Sequence, residues 1–409
     1  MEKVLTAPAA SPETRIVPQT FYSILFAISI SHLLNDMIQS VLQSSYPLLK
    51  ANYQLSFSQV GLITFVFQVT ASILQPFVGN YTDKKPHPYS FVFGLAASLI
   101  GIVLLAFAHG FETILISAAL IGIGSSVFHP EASKVAYYAS GGKRGLAQSI
   151  FQLGGNGGSA IGPLLVAAIV MPYGQSNIVW FSVAAILAIM ILSKVGGWYN
   201  AHLTLRASKK AASSEGHHHL SKTKVITSLA ILLLLIFSKF FYMASISSYF
   251  TFYLIDKFHV SIPQSQLYLF IFLGSVAAGT LLGGHLGDRF GRKIIIWVSI
   301  LGAAPFTLLL PHVNLLWTGI LIGITGVIIA SAFSAILVYA QELVPGKIGM
   351  VSGLFFGFAF GMGGLGSALL GLLADHTSVN FVFEVCAYLP LLGIVTVFLP
   401  DLRKTSKRS

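Results

Sequence analysis

Apolar runs of about 20 residues, the length a helix needs to cross the hydrocarbon core of a bilayer, recur twelve times along this chain. They lie near 22–48, 57–79, 90–108, 112–138, 146–170, 178–198, 226–254, 264–284, 292–311, 315–343, 348–372 and 381–400. In lipid every backbone N–H and C=O must be satisfied within the chain, so such runs are expected to be helices. Composition agrees. Charged residues make up 9% against about 25% in a soluble domain, hydrophobic residues 55%, and mean hydropathy is +0.80. That balance excludes a soluble enzyme. The first 20 residues are polar and contain no short apolar core ending in a small-residue cleavage site, so no cleavable signal peptide is expected. The single cysteine, Cys386, excludes an intramolecular disulfide.

A net charge of +11 raises nucleic acid as a partner, but the distribution of charge answers otherwise. With twelve spans and both termini cytoplasmic, only Lys50 and Lys257 of the 24 Lys and Arg fall on the outer side, and Lys239 falls within a span. The rest lie inside, which is the bias that orients membrane proteins. No soluble basic module exists for nucleic acid. The expected organisation is a cytoplasmic tail (1–20), a six-helix bundle (21–198), a cytoplasmic linker (199–225), a second six-helix bundle (226–400) and a cytoplasmic tail (401–409). The linker holds His217, His218 and His219, but adjacent histidines in a polar loop lack a framework for metal geometry. No metal is expected.

The halves repeat each other. A shift of 205 lays LSFSQ at 55–59 on VSIPQ at 260–264, Gly79 on Gly284 and Asp83 on Asp288. A shift of 204 lays GKRGLAQSIF at 142–151 on GKIGMVSGLF at 346–355. Duplicated six-span halves with a substrate site at the midplane between them describe a secondary transporter.

Three helical faces in the first half are polar: Ser29, His32, Asp36, Gln39 and Gln43 in span 1, Thr64, Gln68, Ser72 and Gln75 in span 2, and Gln148, Gln152, Asn156 and Ser159 in span 5. Such faces turn toward a bundle interior or a watery cavity, or bond to neighbouring helices. Charges are harder to place. A carboxylate or Lys at the bilayer centre costs about 2.5–3.5 kcal/mol on insertion scales, and Asp36 and Lys239 each sit near the middle of a span at corresponding places in the two halves. The expectation is that they approach each other across a central cavity, with Lys239 offering a positive site to an anionic substrate or serving only as Asp36's ion-pair partner. Gln39, Gln152, Asn156, Tyr242 and Tyr249 complete the expected substrate set. Asp36 or Glu131, with His32 or His129 adjacent, is expected to carry a coupling proton, because burial favours the protonated carboxyl. No GxxxxGK[ST] phosphate loop is present, which disfavours an ATP-driven pump.

Two motifs carry a resemblance. Gly284-x-x-x-Asp288-Arg289-x-Gly291-Arg292-Lys293 resembles the loop signature of the major facilitator superfamily, and Gly79 and Asp83 keep part of it in the first half. There Pro86, His87 and Pro88 replace Gly291, Arg292 and Lys293. Asp288 is expected to face the positive N-terminal end of the following span. Gly158-x-x-x-Gly162-Pro163 is similar to the antiporter motif of drug-exporting facilitators and also has the spacing of close helix packing. SHLLNDMIQS, IGIGSSVFHPE, SGGKRGLAQSIFQLGGN and SAILVYAQELVPGKIGMVSGLFFGFAFGMGGLG extend the likeness over nearly the whole chain, to drug exporters of that superfamily. The resemblance implies an all-α fold of twelve helices in two pseudo-symmetric bundles in the bacterial inner membrane. It also implies export of a small anionic drug, a phosphonate, driven by protons with no other cofactor, by a monomer in contact with membrane lipid. An importer or exporter of another metabolite, such as an organic anion or sugar, is the alternative. A membrane enzyme using His129 and Glu131 as acid and base is disfavoured by the two-half repeat.

Overall fold

A computed structural model describes residues 19–55, 57–210 and 221–402. Eleven helical stretches have the length and apolar composition to cross a membrane: α1 Tyr22–Ser44, α2 Gln59–Lys84, α4 Phe111–Ala139, α5 Arg144–Tyr173, α6 Gln175–Leu205, α7 Lys222–Phe258, α8 Leu267–Phe290, α9 Arg292–His312, α10 Leu315–Leu343, α11 Ile348–His376 and α12 Val379–Phe398. The apolar helix α3, Ser90–Ala106, occupies the remaining expected place with 17 residues. At 1.5 Å per residue it is about 26 Å long, a little short of the ~30 Å hydrocarbon core. The all-α expectation holds. Large apolar side chains such as Phe93 (75% exposed), Phe270 (70%) and Phe398 (74%) cover the outside, as lipid-facing helices require. The His217–His219 run and most of both tails lie outside the described residues. The helix of α6 runs on to Lys210, so the first part of the expected linker is helical.

Glycine decides the closest contacts. α5 lies against α1, and a Cβ at Gly154 would stand 1.9 Å from the Ser29 carbonyl oxygen, at Gly158 2.0 Å from that of Leu33, and at Gly162 1.8 Å from Ser40 Oγ. The small-residue stripe read from the sequence therefore packs within the first half. Between the halves, α2 meets α11 and α5 meets α8. A Cβ at Gly79 would stand 2.1 Å from Gly349 O, and one at Gly284 2.0 Å from Ser149 Oγ. These repeat-related glycines put the two contacts at equivalent places. Thr20 bonds to Ser140 between α4 and α5, and Tyr339 to Pro400, so both ends of the described chain lie on the face where the halves meet.

Two π-helical turns interrupt the spans, at Val69–Ile73 in α2 and Val166–Val170 after Pro163 in α5. Such turns widen a helix locally, and the first follows Gln68 and contains Ala71, both of which line the cavity described below.

Gly158→Ala forces a methyl into the α1 backbone and should cost about 1–3 kcal/mol by overpacking. The midpoint of thermal unfolding in detergent is expected to fall. Gly157→Ala meets nothing nearer than Leu33 Cδ1 at 3.5 Å and is expected to leave the midpoint unchanged.

Candidate functional site

Two charge clusters hold the halves together on the face that carries the chain ends. The carboxylate of Asp83, at the end of α2, accepts the backbone N–H groups of Gly349 (3.0 Å) and Met350 (2.8 Å) at the start of α11. That of Asp288, at the end of α8, accepts those of Gly145 and Leu146 (2.9 Å each) at the start of α5. Each carboxylate therefore caps a helix of the opposite half, where unpaired N–H groups and the helix dipole favour an anion. This corrects the expectation that Asp288 serves the span that follows it. Because Gly284 brings α8 onto α5, the N–H groups within reach belong to α5. The following helix contributes the Arg292 side chain, 3.2 Å from Asp288 and 3.1 Å from Glu342. Arg144 reaches Glu342 at 3.2 Å, and the Arg289 guanidinium lies over the Phe290 ring. In the first half the cation is Lys134 of α4, 3.1 Å from Asp83 and 2.8 Å from Glu131. Thr82 donates to Glu131 and receives Lys134 at 3.0 Å. The two clusters cap alike but draw their cations from different places. Between them, Ser133, Gln148, Gln341 and Ser352 form a buried hydrogen-bonded set across the halves.

Deeper still, α1 and α4 bring His32, Asp36 and His129 together. His32 Nε2 lies 3.2 Å from Asp36 Oδ2, His129 Nε2 3.4 Å from Asp36 Oδ1, and the two Nε2 atoms are 3.2 Å apart. Asn35 and Gln39 each donate an amide hydrogen to Asp36 Oδ1 at 2.9 Å. Phe151 stacks on His32 at 4.0 Å between centroids, and Phe356 and Phe360 approach His129 at 5.2 and 5.0 Å. Gly155 makes the cluster possible: a Cβ there would stand 2.4 Å from His32 Nε2 and 2.8 Å from Asp36 Oδ2. Two imidazoles and a carboxylate this close are also a donor set for metal. Here Oδ1 already accepts two amide hydrogens, which favours a hydrogen-bonded cluster.

Asp36 and Gln39 form part of the wall of a cavity of about 280 Å³. The rest comes from Ser40, Gln43 and Ser44 of α1 and its end, Phe67, Gln68 and Ala71 of α2, Ser159 and Pro163 of α5, and Phe360 of α11. Since Gln43 and Ser44 close α1, the cavity lies toward the face opposite the clusters. The polar stripes of spans 1 and 2 and Ser159 of span 5 thus share one space.

Other expected site residues lie elsewhere. Lys239 does not pair with Asp36. Its ammonium lies 3.5 Å from the Ala330 carbonyl oxygen and 5.3 Å from the Phe240 and Phe333 ring centroids, with no carboxylate within 4.0 Å among the described residues. Corresponding depth in the two halves did not imply contact. Glu131, two residues from His129, points to another face of α4 and belongs to the cluster of Asp83 and Lys134. Asn156 donates to Thr280 across the halves at 3.3 Å. Tyr242 is buried in the core of the second half, and Tyr249 donates to the Ser367 carbonyl at 2.6 Å. Gln152 keeps a buried Oε1 without a partner. Lys134, Arg144 and Ser125 were not among the expected site residues. The signal for Lys134 was its spacing three residues from Glu131 in an otherwise apolar span.

Lys134→Met leaves Glu131 buried without its cation and should destabilise the protein by about 3–5 kcal/mol. Adding Glu131→Gln is expected to recover most of the loss. Thermal unfolding of both variants checks this.

A family model described as Major Facilitator Superfamily matches residues 28–367 and, in a second match, 253–409. The chain is 59% identical over 397 residues to the fosmidomycin resistance protein of Escherichia coli (strain K12), covering 97% of each. It is 44% identical over 401 residues to the uncharacterized MFS-type transporter YfnC of Bacillus subtilis (strain 168), covering 98% of each. Among solved structures, the MFS transporter FucP in the outward conformation superposes with a TM-score of 0.69 at 15% identity, covering 95% of this chain and 97% of FucP. The human organic anion transporter MFSD10 does so with 0.72 at 16%, covering 93% and 99%. Those likenesses speak to the fold alone. The duplicated halves, the cross-half glycine contacts and the family match have one meaning: this chain is a multi-pass membrane protein that belongs to the major facilitator superfamily.

Proposed function

We propose that this chain exports a small anionic drug, a phosphonate of the fosmidomycin type, across the bacterial inner membrane in exchange for protons. The observation that carries the reading is the carboxylate of Asp36, buried against two imidazoles in the middle of a membrane helix and forming part of a polar cavity wall. Ionisable groups at that depth are expensive and mark ion pathways. His32, Asp36 and His129 are the coupling site, and Glu131 belongs to the closure of the opposite face. The identity to a protein named for fosmidomycin resistance supports the drug class. Both termini are cytoplasmic by charge bias, so the clusters of Asp83 and Asp288 close the cytoplasmic side while the cavity lies toward the outside. Rocking the halves about their interface exchanges the two states. The protein works as a monomer in lipid, with no cofactor beyond the proton gradient. Gln39 contacts the drug, and Lys239 draws its anionic group.

One observation favours a second reading. Besides the Asp36 carboxylate, the cavity wall offers amides and hydroxyls and, among the described residues, no Lys or Arg, which suits a neutral polyol such as a sugar. Unchanged fosmidomycin susceptibility of a deletion strain would favour it.

In inverted vesicles, an imposed pH gradient is expected to drive fosmidomycin uptake by the wild type. Asp36→Asn is expected to lose at least tenfold of the gradient-driven rate. Uptake that ignores the gradient contradicts proton exchange.

A further inference from the structure

A second concave space lies on the lipid-facing side of the first half. α2 and α3 both pack on α4 more than on each other, and a groove of about 540 Å³ lies between them. Ile123 and Val127 of α4 form its floor, and Val78, Tyr81, Phe93 and Ala97 its walls. The floor residues stand four apart on one face of α4, whereas Ser125 and His129, which meet Gln39 and Asp36, stand on another. The groove is therefore separate from the cavity at Asp36. Glycine seats its helices: a Cβ at Gly94 would stand 3.0 Å from both Gly124 O and Val127 Cβ, so α3 lies directly on α4 there.

The mouth of the groove is polar and cationic. His87 and Ser90 line it. The His87 ring stacks on Tyr81 at 5.5 Å between centroids, and the Ser90 hydroxyl oxygen is buried without a partner among the described residues. Lys84 ends α2 and Lys85 follows it, both exposed. The carboxylates closest to them in the fold are already taken. Asp83 is turned to the α11 backbone and Lys134, and Glu131 to Lys134 and Thr82. From Ser90 to Ala97 α3 rises about 10 Å, a large part of one leaflet of the ~30 Å hydrocarbon core.

An occupant with an anionic head at the lysines and an apolar chain below them matches both parts. Basic residues at the membrane surface attract anionic lipids, and tyrosines such as Tyr81 and Tyr89 belong at that level. A free phosphate would use the lysines and leave the groove unfilled. A zwitterionic lipid would fill the groove but gain little from two added positive charges. We propose that the groove between α2 and α3 binds one anionic phospholipid, its phosphate held at Lys84 and Lys85 and one acyl chain lying on Ile123 and Val127. The Ser90 hydroxyl donates to an oxygen of its phosphate or glycerol ester. With the termini cytoplasmic as proposed above, the lipid belongs to the inner leaflet; its binding in detergent does not depend on that orientation.

Native mass spectrometry of the purified full-length protein, released from detergent micelles, counts bound lipid and protein copies together. The wild type is expected to hold one phosphatidylglycerol about tenfold more tightly than phosphatidylcholine with the same chains. Lys84→Gln/Lys85→Gln, a change of two exposed side chains, is expected to bind phosphatidylglycerol about tenfold more weakly and phosphatidylcholine as before. Ala97→Phe, which fills the groove, is expected to weaken both lipids. Glycerol phosphate, the head without the chains, is expected not to displace phosphatidylglycerol from the wild type at equal concentration. Equal retention of the two lipids by the wild type, or no effect of removing the two lysines, would overturn the proposal. So would displacement by glycerol phosphate, which means a free-phosphate site, or a dimer that Ala97→Phe abolishes, which means that a second copy covers the groove.

Discussion

A carboxylate buried among apolar helices must be answered, and the answer to Asp36 organises the first half of this protein. Two imidazoles and two amides converge on it. Space for them exists because α5 carries Gly155 at the point where any side chain would collide with His32 and Asp36. The same helix face carries Gly154, Gly158 and Gly162, which let α5 run directly on the α1 backbone. Phenylalanine rings from three helices then shut water from the imidazoles, leaving Asp36 as the part of the cluster that borders the cavity. The glycines of α5 thus serve both the tight packing on α1 and the polar centre.

The second constraint is closure. Asp83 and Asp288 cap helices that belong to the other half, so the two halves are joined through backbone N–H groups at symmetric places. Breaking such a contact exposes a carboxylate and a helix end together, which water can satisfy and lipid cannot. Separation is therefore possible only at a face that admits water. α4 joins closure to centre: His129 sits in the cluster at Asp36, while Glu131 and Lys134 sit in the cluster at Asp83. Pro130 lies between them and lacks the N–H that would continue the helix ladder.

Much of this was legible in the residues. Span length and charge bias need only the one-dimensional chain, and the repeat placed Gly79 with Gly284 and Asp83 with Asp288 as equivalents. The polar stripe of span 1 pointed to the cavity wall, because helical spacing defines a face. What was not legible is which helix each face meets. Asp36 and Lys239 share a depth, but the Lys239 ammonium rests against a carbonyl and two rings within the second half. Asp288 was given to the next helix in sequence, whereas the glycine contact hands it to α5. Glu131 and His129 are two residues apart and so point to different sides of a helix, but spacing alone does not say that the side of Glu131 meets Lys134 and Asp83.

In the proposed exchange, drug and proton movements are tied to each other through the centre at Asp36. Proteoliposomes holding the purified protein and an internal pH indicator test this most directly. A fosmidomycin gradient is imposed with no pH gradient across the membrane. A proton flux opposite in direction to the drug, stopped by Asp36→Asn, is expected. Drug movement with no proton flux, or with protons travelling alongside the drug, would contradict it.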